Sequence, residues 1–146
     1  MSWRAGLAAM SVVLMARGAT ADEPHPRKVP CVMASRDEQL EDLRVRNKAL
    51  LERLRGKHVA LDQHRQVQHA FWAATQKSAA LLARELYVRG FLILKIAPSD
   101  GESPEWNVEA ERKSTALQAA SEDTVRELVD LARRFDCVYD GWGTGL

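Results

Sequence analysis

The chain reads as an α+β domain: a four-stranded antiparallel sheet with two helices on one face, preceded by a further helix. Three observations predict this. Glu105 to Glu111 alternates polar and apolar residues without a break, the signature of a strand with one wet face. Val125, Leu128, Val129, Ala132 and Phe135 recur at helical spacing. Between and around these two patterns, the elements fall in the order helix, then strand–helix–strand–strand–helix–strand. At 146 residues one domain is expected, large enough to bury a core without disulfides or metal.

Residues 1–32 stand apart from that pattern and are expected to be largely unstructured. Arg4, the apolar run Ala5 to Ala16 and the Ala19-Thr20-Ala21 site resemble a secretory signal. The run is too short to span a bilayer as a helix. A competing reading starts the protein at Met33, where the Pro-rich stretch Asp22 to Val32 gives way to a patterned helix. We adopt that start, which places the protein in the cytoplasm; the signal reading places it in the periplasm or outside the cell.

The domain then spans 33–146, with a helix at 36–56 and the βαββαβ unit over 66–142. Leu40, Leu43, Leu50, Leu51 and Leu54, with Asn47 among them, make a narrow apolar stripe on the first helix, suited to docking on a domain edge. Gly56 is the expected cap at its end. Val67 to Trp72 is rich in aromatic and β-branched residues and predicts a strand at 66–72. Thr75 caps a helix at 74–89 that buries Ala79, Leu82, Ala83 and Leu86, and Gly90 closes it. Phe91 to Ile96 predicts a strand at 91–97 with Leu92, Leu94 and Ile96 on one face. The strand at 104–112 turns Trp106, Val108 and Ala110 inward, and Glu105, Asn107, Glu109 and Glu111 outward. Ser121 caps a helix at 121–135 with Glu122 and Asp123 in its first turn and Arg133 and Arg134 in its last, the signs the helix dipole favours. A strand at 137–142 ends the unit. This order builds the ferredoxin-like arrangement.

Composition narrows the chemistry. Lys+Arg 21 against Asp+Glu 20 leaves a formal charge of +1, without the concentrated positive field of a nucleic-acid binder. Cys31 and Cys137 have no partner at zinc-ligand spacing, and His25, His58, His64 and His69 form no ligand pair. Glu105, Glu109 and Glu111 share one strand face, which reads as solvated surface rather than a cation site. No nucleophile elbow is present, and no cofactor, metal or catalytic residue is assigned. Ferredoxin-like RNA-binding domains stack bases on aromatics of the open sheet face; here that face is acidic, so direct RNA binding is not expected. The basic helix residues Arg44, Arg46, Lys48, Arg53, Arg55 and Lys57 share their helix with Glu41, Asp42 and Glu52 and read as a solvated surface.

The end of the chain carries a resemblance. Glu127 to Thr144 runs from a helix through a Phe-Asp corner into a strand and then Tyr139, Asp140, Gly141, Trp142, Gly143 and Thr144. This segment resembles the end of the folded domain in the regulator of ribonuclease E activity B family. Glu38-Gln39-Leu40-Glu41, Val67-Gln68-His69 and Gly90-Phe91 follow the family's order more loosely, so the likeness covers about Met33 to Thr144. It implies a ferredoxin-like fold and a non-catalytic protein that binds and inhibits a ribonuclease E-type enzyme. On the residues themselves, Tyr139 to Thr144 reads as a partner-binding tip: Trp142 is the anchor and Gly141 and Gly143 the hinges. The alternative is that Trp142 folds back to cap the sheet.

Overall fold

The computed structural model describes residues 13–15, 35–101 and 104–145. In chain order the elements are β1 (Val13–Met15), α1 (Arg36–Gly56), β2 (Arg65–Ala73), α2 (Gln76–Val88), β3 (Leu92–Pro98), β4 (Trp106–Ser114), α3 (Ala116–Ala119), α4 (Glu122–Arg134) and β5 (Cys137–Gly145). One antiparallel sheet runs β1-β5-β2-β4-β3. Its last four strands form the expected βαββαβ unit, in ferredoxin-like order.

Local chemistry sets the element ends. Ser35 and Glu38 close a capping box at the start of α1, each accepting from the other's backbone N–H, at 3.2 and 3.0 Å. Thr75 and Ser121 cap α2 and α4 as expected. After α2, Gly90 takes φ +94°, and the N–H groups of Gly90 and Phe91 reach back to Tyr87 and Leu86, satisfying two carbonyls the helix end leaves bare. After α4, Asp136 takes φ +58° and turns the chain into β5; Asp tolerates this region better than most residues. The cap expected at Gly56 lies elsewhere: Gly56 is the last helical residue, and the left-handed turn falls on His58 at φ +61°.

The helices cover one face of the sheet. Phe71, Ala73, Val108, Ala110, Cys137 and Tyr139 meet Ala79, Leu82 and Leu86 of α2 and Val125, Leu128, Val129 and Ala132 of α4 in the main core. The stripe on α1 docks beside it. Leu43 joins the main core, while Leu50 and Leu54 close a second cluster with Val67, Ala116, Ala119 and Trp142. Arg36 holds α1 to α4 through two hydrogen bonds to Asp130, at 2.6 and 3.0 Å.

Within 1–32, expected to be largely unstructured, Val13, Leu14 and Met15 form β1 and pair with Gly145, Thr144 and Gly143; Cys31 and the remainder of 1–34 lie outside the described residues. Three details depart from the sequence reading. A short helix, α3, lies between β4 and α4, and its Thr115–Gln118 capping box was there to be read in the sequence. Asn107 does not face water: it is buried and donates from Nδ2 to the carbonyl of Phe71 at 3.2 Å. Finally, Leu92, Leu94 and Ile96 do not share one face. The register of β3 on β4 shifts between Ile93 and Lys95, so Leu92 pairs with Glu111 but Ile96 with Val108. The extra residue of such a bulge reverses the alternation.

Candidate partner-binding site

All six residues of the expected tip lie together on β5, and all six are buried. They form no tip. β5 lies inside the sheet, between β1 and β2, and Trp142 has 0% of its surface exposed. Its indole packs with Leu50, Leu54 and Val67 and donates from Nε1 to Asn47 Oδ1 at 3.0 Å. Asn47 sits in the leucine stripe of α1 because it must meet that indole, a buried N–H that needs a partner. Trp142 is therefore a core residue, and its reading as a solvent-facing anchor is corrected.

The rest of the segment has the same character. Tyr139 lies on the helix-covered face, its hydroxyl 2.8 Å from His69 Nδ1. Burial, aided by the Arg112 charge, pushes the His69 pKa down to about 3. Burial also raises the Tyr139 phenol far above its ordinary range. Both groups are thus neutral at physiological pH. Asp140 is the extra residue where the β5 register slips: Ala70 pairs with Gly141 and Phe71 with Tyr139. Its Oδ2 accepts from Trp72 Nε1 at 3.0 Å and its carbonyl from Arg46 at 3.2 Å. Gly141 follows at φ +111°, a conformation side chains disfavour, which accounts for a glycine just after the bulge. Gly143 pairs with Gln68, and Thr144 Oγ1 donates to the Gln66 carbonyl at 3.1 Å. These residues build a polar lattice that fixes β5 beneath α1.

The exposed apolar surface is elsewhere. β3 is the far edge of the sheet, and its Leu92, Leu94 and Ile96 are 58%, 41% and 41% exposed. The last two residues of α2, Tyr87 and Val88, lead into it and are 69% and 71% exposed. Proteins usually protect an edge strand with charge, proline or brevity, because its unpaired backbone invites another strand. β3 keeps Lys95 and ends on Pro98, yet presents an apolar side chain at most other positions. Five large apolar side chains are thus exposed along this edge, Tyr87, Val88, Leu92, Leu94 and Ile96. Sequence reasoning missed it while holding the clue. In a βαββαβ sheet the second strand is always an edge, so an apolar run there cannot be explained by burial on both faces.

The remaining predicted features are dispersed. Glu109 and Glu111 are partly exposed on β4, opposite Lys95 and Leu92. Arg44 and Arg46 are held on α1 by Glu41 and Asp42. No helix of the described residues is long and apolar enough to cross a membrane.

The sequence profile of a protein family described as Regulator of ribonuclease activity B matches residues 44–144. That span contains most of α1 and every later element through the buried Tyr139–Thr144 lattice. No curated protein gives a significant match to the chain. The match covers well over half of the chain and the whole of its βαββαβ unit, and the chain belongs to the regulator of ribonuclease activity B family.

Proposed function

We propose that this protein is a non-catalytic regulator that binds a ribonuclease E-type endoribonuclease stoichiometrically and restrains its cleavage of RNA. The family match over residues 44–144 carries this reading. The surface we assign to the contact is the β3 edge with the end of α2. An extended segment of the ribonuclease adds to β3 as a further strand: backbone hydrogen bonds supply affinity, and Leu92, Leu94, Ile96, Tyr87 and Val88 select the side chains. Tyr139, Asp140, Gly141, Trp142, Gly143 and Thr144 serve this indirectly, by holding the sheet that presents the edge. The open sheet face takes no part in RNA binding, because Glu109 and Glu111 repel phosphates. Titrating the protein into a cleavage assay of purified ribonuclease E tests the proposal. Inhibition should saturate near one protein per enzyme subunit, with no cleavage by the protein alone. Absence of inhibition, or inhibition that RNA excess relieves without any protein–protein complex, contradicts it.

A second reading keeps the fold and the edge but gives them a partner outside the cytoplasm. The signal-like run Ala5 to Ala16 with Ala19-Thr20-Ala21 favours it. The N-terminal sequence of the mature protein separates the two: a start at Met33 supports the cytoplasmic ribonuclease, and a start at Asp22 the exported partner.

A further inference from the structure

We propose that the cleft between the end of β4, α3 and the start of α4 binds a phosphate oxyanion. The cleft encloses about 450 Å³ and is lined by Arg112, Lys113, Ser114, Leu117, Gln118, Ser121 and Thr124. Two of these side chains are cationic, and among the described residues no carboxylate lines it. That is uncommon on a chain whose charges nearly cancel. The cleft between α1 and α4, by contrast, mixes Arg44 and Arg126 with Asp37, Glu41 and Glu122.

The lining also offers hydrogen-bond donors that the fold leaves unused. Gln118 gives its Oε1 to the Thr115 N–H at 3.0 Å, and its Nε2 makes no hydrogen bond among the described residues. Lys113 is exposed and makes no ion pair among the described residues. Arg112 stands over the Phe91 ring, 4.2 Å from its centroid, with only a long 3.7 Å contact to Glu127. That carboxylate is shared with Arg89 at 3.4 Å, so the Arg112 charge is incompletely balanced. Arg112 and Lys113 of β4 and the Gln118 amide of α3 thus line one cleft. The nearly doubled charge of a phosphate answers two cations better than the single charge of a carboxylate does. Leu117, 48% exposed, adds an apolar wall on which the organic part of an ester can rest. The inference does not depend on the ribonuclease reading.

The test is a titration of the ¹⁵N-labelled protein at low ionic strength with inorganic phosphate, phenyl phosphate and benzoate. Both phosphates should saturate shifts at Lys113, Ser114, Gln118 and Thr124, with benzoate binding about tenfold more weakly, the worth of one charge-assisted contact. Tighter binding of phenyl phosphate identifies an ester as the ligand, and equal binding identifies phosphate itself. Gln118→Glu keeps the acceptor that caps α3 but replaces the donor with a carboxylate oxygen; Lys113→Glu reverses an exposed charge. Each should weaken phosphate binding about tenfold or more without moving the melting temperature. Shifts scattered over every basic residue without saturation, or variants that bind phosphate like the parent, overturn the site.

Discussion

β5 and β3 belong to the same sheet and use their residues in opposite ways. β5 carries the family segment, and its polar side chains are buried on partners: Trp142 on Asn47, Tyr139 on His69 and Asp140 on Trp72. β3 carries the plainer sequence, Leu-Ile-Leu-Lys-Ile-Ala-Pro, and leaves Leu92, Leu94 and Ile96 partly exposed. A distinctive motif thus marks where the fold needs unusual residues, namely a bulge, a positive φ and a buried indole. Contact with a partner needs only shape, apolar surface and a free edge. The residues that look most functional here are those that make the fold, and the contact we propose falls on residues that look like ordinary core.

The comparison breaks most visibly at Trp142. Trp142→Ala should destabilise the domain by about 3–5 kcal/mol, as removal of a buried aromatic does, and should also leave Asn47 Oδ1 without its donor. Chemical denaturation measures this directly; a loss within about 0.5 kcal/mol, the range for surface substitutions, would place Trp142 outside the core after all. At the other strand the signs reverse. The pair Leu92→Lys and Ile96→Lys should lower the melting temperature far less than Trp142→Ala does, because both side chains are already partly exposed. It should weaken ribonuclease binding by about 2 kcal/mol or more, the hot-spot range.

Acid sharpens the contrast, because it reaches β5 through His69. The folded pKa of about 3 lies below the ordinary 6.5, so the unfolded chain binds the extra proton between these values. The stability that neutral His69 supplies is therefore complete above about pH 6.5 and is lost progressively as pH falls towards 3. The slope reaches at most about 1.4 kcal/mol per pH unit. Asp130, whose pKa its hydrogen bond to Arg36 holds below 3.8, adds its own loss as pH falls through about 3.8 and lower. Melting curves between pH 7 and 4.5 should fall for the parent and flatten for His69→Gln; parallel curves would remove His69 as the cause. The smallest expected effect is on RNA. A gel shift with single-stranded RNA at physiological salt should show no appreciable binding, and a sub-micromolar complex with a steep salt slope would mean the acidic open face had been misjudged.

Much of this architecture was legible. The alternation from Glu105 to Glu111 and the heptad-like spacing of Leu43, Asn47, Leu50 and Leu54 report burial patterns that local sequence encodes, and the elements fall within a few residues of expectation. The errors have different causes. Ile96 is assigned a face by counting along one strand, and the shift of pairing between Ile93 and Lys95 moves it. Asn107 keeps the face that counting gives it but is buried there, and Trp142, read as a tip from its flanking glycines, is buried because β5 runs on through the segment. A bulge is a property of two strands in register, and only the glycine at 141 hints at one. The edge position of β3, in contrast, followed from strand order alone.

The claim that β3 is the contact edge is tested most directly by amide hydrogen exchange of the full-length protein, alone and with ribonuclease E. Added pairing on the free side of β3 should slow exchange across Leu92–Pro98 when the ribonuclease is bound. β5, which pairs with β2 along its length and lies away from the β3 edge, should exchange alike with or without it. Protection confined to other surfaces, with β3 exchanging as fast in the complex as in the free protein, would contradict the account.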